Sequence, residues 1–176
     1  AGDCRAVLAR PGRPAEALSL DHNPGHPRER RRIEASGGEV GSFEGEPDPE
    51  QDGKGRLFIR GQRWPGLAVS RAFGDLVAKK VGLSAVPEFR EVALDAPADR
   101  DALLIIGSDG LWNVMTDDEA AAIVSRFSAS RDSVLAAVEL VEEARRRWED
   151  LRSQAEQGGD ADAVLIDDIS AIAVFL

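Results

Sequence analysis

Three carboxylates stand where apolar runs meet turn residues: Asp3, Asp109 and Asp167, the last followed at once by Asp168. Asp109 ends the run Ala102-Leu103-Leu104-Ile105-Ile106-Gly107-Ser108, whose consecutive large aliphatics predict a strand buried on both faces, closed by an Asp-Gly turn. Asp167 and Asp168 open the final apolar stretch, predicted as a buried strand to Leu176, and Asp3 precedes a short strand over Ala6-Val7-Leu8-Ala9. If these strands are neighbours in one sheet, the carboxylates converge at one rim. Two like charges ~4 Å apart repel by roughly 4 kcal/mol at an effective dielectric near about 20, so such a cluster shifts its pKa values, splays apart or binds a cation. All-oxygen donors select hard cations such as Mg2+, Mn2+ or Ca2+, and no Cys/His cluster offers a softer site. On the residues alone, three unrelated surface turns remain the simpler reading.

Composition narrows the classes. The 176 residues suffice for one domain with a sizeable core, and 43% hydrophobic with 31% charged residues is ordinary for a globular protein. A net charge of −10 argues against general nucleic-acid binding and would repel a phosphorylated substrate unless bound cations mask it. No apolar run is long enough to span a membrane. One cysteine, Cys4, cannot form an internal disulfide, which points to a reducing compartment, cytoplasmic or nuclear. The chain opens without an initiator Met or a leading element and is read as a fragment of something longer.

The elements that must position these residues follow from local pattern. Ala17–Leu20 is the expected hairpin partner of the first strand, and Pro27–Ser36 a basic helix ended by Gly37-Gly38. The Arg28, Arg30, Arg31, Arg32 run reads as a solvated face of that helix, and His22 as a solvated loop residue. Residues 41–63 form an acidic, flap-like stretch, with a short strand at Leu57-Phe58-Ile59. Arg71 and Asp75 are expected to form a buried ion pair, and Phe89–Leu94 alternates as a strand does. Thr116-Asp117-Asp118-Glu119 has capping-box spacing and opens a helix to Phe127 with Ala121, Val124 and Phe127 on one side. Asp132–Leu151 is a longer helix with an apolar stripe of Val134, Val138, Val141 and Trp148, before a break at Gln157-Gly158-Gly159-Asp160. Trp112 and Trp148 read as packing residues. Hairpins early and paired helices late fit α+β rather than strict βαβ alternation.

Four stretches in order, Ala1–Leu8, Leu67–Asp75, Gly107–Trp112 and Asp167–Ser170, resemble successive signatures of the protein phosphatase 2C family. Asp21–Pro24, Ile33–Gly38 and Val86–Glu88 add weaker matches, so the resemblance runs from the first residue to the last. It implies a four-layer α-β-β-α sandwich with antiparallel sheets, of which this chain is the C-terminal part of the catalytic domain and lacks the N-terminal part. It implies hydrolysis of phosphoserine and phosphothreonine in phosphoprotein substrates by a water activated at two or more Mg2+ or Mn2+ ions. By position, Asp109 and Asp167 match metal-binding aspartates of the family, and Asp3 an aspartate of a further, looser metal site.

The departures set the expectations for this fragment. The family's phosphate-contacting Arg, its Glu-Asp pair and its Asp-Gly-His-Gly-Gly motif, with a bridging Asp and the proposed general acid, are absent; neither His22 nor His26 sits in such a motif. Cys4 replaces a usual Ser, Asn113 a frequent Asp and Asp168 an Asn. The fragment alone is therefore expected to be inactive, and to associate with itself or a partner through exposed sheet edges. The alternatives are a catalytically dead phosphatase-like domain acting as a regulatory module, and an acidic interaction module without a metal site.

Overall fold

A computed structural model describes residues 2–49, 53–94, 102–158 and 164–176. Ala1 of the first signature, residues 50–52 of the acidic stretch and residues 159–160 of the expected break lie outside the described residues. In chain order the elements begin with β1 (Arg5–Ala9), β2 (Glu16–Ala17), α1 (Pro27–Ala35), β3 (Gly38–Gly41), β4 (Arg56–Ile59) and β5 (Pro65–Leu67). They continue with α2 (Leu76–Lys79), β6 (Leu103–Gly107), α3 (Asp109–Trp112), α4 (Asp117–Ser125), α5 (Ser133–Gln157) and β7 (Ala171–Phe175). The fold is α+β, and every paired strand is antiparallel. Among the described residues no helix is long and apolar enough to cross a membrane.

The chain divides into two compact units. The second, Cys4–Leu20 with Arg90–Leu176, holds a sheet in the order β2-β1-β6-β7. Ile105 of β6 stands opposite Val7 of β1 and Ala173 of β7, and these three face the helices together with Leu103 and Ala9. Leu140 of α5 and Val124 of α4 close over them to complete an apolar core. The opposite face is only partly covered: Leu8 is buried, whereas Ile106 and Ile172, aligned across the β6–β7 ladder, are exposed. The expectation of a central strand buried on both faces therefore holds for one face only.

Helix α4 starts where its capping box requires. Thr116 Oγ1 accepts from the Glu119 amide, and the Glu119 carboxylate accepts from the Thr116 amide at 2.8 Å. Helix α5 corrects the expected stripe. It buries Ala136, Leu140 and Ala144, four residues apart, while Val134 is 76% exposed and Val138 44%. Two methyl groups flanking one leucine let the helix lie close to its neighbours, and close approach outweighs the larger apolar content of the valine row. Phe89–Leu94, expected as a strand, is irregular: Phe89 is 92% exposed, and no strand of the described residues pairs with the segment. Alternation alone does not make a strand where no sheet edge receives it. The final strand is also shorter than expected, because Asp167–Ser170 precede β7 as irregular chain.

The first unit, Ala1–Asp3 with Asp21–Phe89, has a sheet in the order β3-β4-β5 packed with α1 and α2 around Ile33, Val40, Leu57, Ala78 and Leu83. The stretch 41–63 thus contains a strand, β4, paired on both sides. The expected Arg71–Asp75 pair is not formed. Asp75 is exposed in the left-handed region (φ 47°) at the start of α2, and Arg71 turns inward to Glu29 and Glu88 instead. A carboxylate already buried on α1 competes better for the guanidinium than one in water.

Candidate functional site

The carboxylates of the second unit are placed by the end of β6 and the approach to β7. Ser108, in extended conformation, is the N-cap of α3, and Asp109 is that helix's first residue. The Ser108 amide donates to the Ser170 carbonyl at 3.1 Å, which extends the β6–β7 pairing one step beyond the ladder. The Ser108 hydroxyl donates to the Asp168 carbonyl at 3.0 Å and accepts from the Ser170 amide at 3.0 Å. Gly110 completes the contact. A Cβ there would stand 2.4 Å from the Asp168 carbonyl oxygen and 3.4 Å from Asp167 Cβ, so only glycine lets the two turns meet.

The segments that carry Asp109 and Asp167 thereby adjoin. Each carboxylate spends an oxygen on its own turn: Asp109 Oδ1 accepts from the Gly110 amide at 3.0 Å, and Asp167 Oδ1 from the Asp168 amide at 2.8 Å. Those bonds fix the carboxylates in orientation, as metal-binding carboxylates are fixed by their outer partners. Trp148 of α5 donates from Nε1 to the Gly110 carbonyl at 2.7 Å, so it braces the turn as well as packing. Trp112 Nε1 donates to the Gly107 carbonyl at 2.9 Å, and Arg5 lies over its ring at 5.4 Å while pairing with Asp117 at 2.8 Å.

Asp3 belongs to the first unit, in a segment held by His22. Both the His22 backbone amide, at 2.9 Å, and His22 Nδ1, at 3.2 Å, address the Gly2 carbonyl. His22 is buried rather than solvated, and its Nε2 faces Glu88 at 3.5 Å. Beside it Glu29 is gripped by Arg71 through two bonds (2.7 and 3.0 Å), by Arg32 at 2.8 Å and by the Ser70 hydroxyl at 2.6 Å. Burial pushes the Glu29 carboxyl up, but the bonds from Arg71, Arg32 and Ser70 outweigh it and hold the group well below the usual carboxylate range. The bond to Glu29 likewise raises Arg71. Arg32 is thus part of this network, while Arg28 and Arg31 lie on the solvated face expected for them. The signal for Glu29 was faint: one acid inside a basic run.

Among the described residues no three His, Cys, Asp or Glu side chains gather into a cluster able to hold a metal. Asp109 and Asp167 make an oxygen-only pair of carboxylates on two turns fixed against each other. That donor set fits Mg2+ or Mn2+, which take one or two protein carboxylates and complete their shell with water and phosphate oxygens.

Comparison with known proteins bears on family and fold. Residues 1–149 match the Protein phosphatase 2C family. The chain is 36% identical over 179 residues to the probable protein phosphatase 2C 73 of Arabidopsis thaliana, covering 99% of this chain and 43% of that one. It is 38% identical over 152 residues to the probable protein phosphatase 2C 64 of Oryza sativa subsp. japonica, covering 84% and 33%. A crystal structure of serine-threonine phosphatase 2C from Toxoplasma gondii superposes with a TM-score of 0.71 at 28% identity, covering 99% of this chain and 52% of that one. The chain belongs to the protein phosphatase 2C family, whose members are protein serine/threonine phosphatases. It spans less than half the length of the curated relatives it matches.

Proposed function

We propose that this chain is the C-terminal part of a catalytic domain that hydrolyses phosphoserine and phosphothreonine in proteins, and that Asp109 and Asp167 are its metal ligands. The observation that carries the reading is the joining of the Ser108–Gly110 turn to Asp167–Ser170 through the Ser108 hydroxyl and the space left by Gly110. Mg2+ or Mn2+ held there would acidify a water and neutralise the charge of the phosphate. The chain's own residues hold and orient: Gly110 and Asp168 amides aim the two carboxylates, and Trp148 braces the turn from α5. Asp3 is the proposed ligand of an accessory ion, on a segment that His22 anchors. Substrates are phosphoproteins inside the cell. The phosphate-contacting Arg and the general acid are supplied by a preceding part of the domain, so these 176 residues are inactive alone.

The test is Mn2+-dependent turnover of a phosphothreonine peptide by this chain and by a form extended at its N-terminus. Activity is expected only in the extended form, and Asp109→Ala or Asp167→Ala in that form should abolish it. Unchanged rates in either variant would sink the ligand assignment. Turnover by the 176 residues alone would show that the chemistry needs fewer groups than proposed.

A further inference from the structure

We propose that Ser108 is the positioning residue of the Asp109–Asp167 pair: its hydroxyl pins the two ligand-bearing turns together and acts on a bound cation only through them. The inference rests on the metal-site reading above. Ser108 and Asp168 are 60 positions apart in the chain, yet one side-chain oxygen joins them. That oxygen gives its single hydrogen to the Asp168 carbonyl and takes one from the Ser170 amide, each at 3.0 Å. The hydroxyl's single hydrogen is spent on the Asp168 carbonyl, the arrangement of a side chain that holds two segments together.

The backbone bond from the Ser108 amide to Ser170 belongs to the pairing of the strands and survives any change of side chain. What the hydroxyl adds is the link from that ladder to the Asp168 peptide, the next residue along from Asp167. Replacing Ser108 by alanine would remove the hydrogen bond that holds the Asp168 carbonyl against α3. The Asp167 turn would then be loosened without the sheet being unpaired. Threonine keeps the hydroxyl, and the extended conformation of Ser108 (φ −74°, ψ 170°) accommodates a β-branched side chain. Valine has the shape of threonine and lacks the hydroxyl.

The experiment titrates Mn2+ by calorimetry into the form extended at its N-terminus, for the wild type and for Ser108→Ala, Ser108→Thr, Ser108→Val and Asp109→Asn. The metal-free melting temperature of each is measured alongside. Groups that orient metal ligands typically change affinity by 10–100-fold, so Ser108→Ala and Ser108→Val are expected to bind Mn2+ about tenfold more weakly, and Ser108→Thr about as the wild type does. Asp109→Asn is expected to lose binding. If the alanine variant melts below the assay temperature, the threonine–valine pair carries the comparison. Wild-type affinity in Ser108→Ala or Ser108→Val, with binding lost in Asp109→Asn, overturns the positioning role and leaves the ligand assignment standing. Weak binding in Ser108→Thr equal to that of Ser108→Val overturns the role of the hydroxyl. Absence of Mn2+ binding in the wild type overturns the ligand assignment and this inference together.

Discussion

The first unit buries a carboxylate beside its apolar core, and the second closes its core with aliphatics. Glu29 is 2% exposed and held by Arg71, Arg32 and Ser70, whereas Ile105, Leu140 and Val124 close the second core with no polar atom among them. The apolar core gains from area removed from water, is indifferent to direction and tolerates shape changes at modest cost. The buried ion pair gains little over an apolar substitute but is unforgiving when half of it is removed. Polar contacts are used in the two units for different ends. In the first they lock the interior; in the second they lie at the rim, on Ser108, Asp109 and Asp167, and orient groups.

The contrast can be broken by substitution. Glu29→Ala removes the buried carboxylate that Arg71 and Arg32 share, leaves Arg71 to Glu88, and should cost about 3 kcal/mol in denaturant unfolding; a loss near zero would show that the network is replaceable. Leu140→Ala in the apolar core should cost about 3 kcal/mol, with the exact loss set by how far α4 and α5 collapse.

Acid sharpens the same contrast. The folded-state pKa of Glu29 is depressed, so its contribution is complete above its ordinary value of 4.5 and is lost as pH falls below that toward the folded value. The unfolding midpoint of the wild type should therefore fall below pH 4.5, and it should fall less steeply in Glu29→Gln. Parallel acid curves for the two proteins would remove Glu29 from the account. The smallest effect is expected from Val138→Ala, on the exposed side of α5, within about 0.5 kcal/mol. A loss as large as that of Leu140→Ala would mean that the valine row is covered in solution.

What could be read from the sequence was mostly local. The capping box of Thr116 and Glu119 spans four residues and fixes the start of α4 without help from the rest of the chain. The aliphatic run of β6 was legible for the same reason, whereas the expected Asp-Gly turn is the first turn of α3. The buried face of α5 was not, because a hydrophobic pattern favours valine over alanine while close packing selects the smaller residue. Sequence proximity pairs Arg71 with Asp75, four residues away, whereas its partner Glu29 lies 42 positions back. The acidic residues of the site could be nominated from their turns and from family resemblance. The hydroxyl that joins those turns could not, since nothing near Ser108 in sequence points to Asp168.

Gly110 changes what an inventory of ligands is worth. Any side chain at that position would meet the Asp168 carbonyl at 2.4 Å, so a substitution there separates the turns while leaving every acidic residue in place. If Asp109 and Asp167 are the ligands proposed above, a chain can keep both and still lose the approach of their turns. On the proposed reading, the site can therefore fail at a residue with no functional group, by a lost glycine rather than a lost acid.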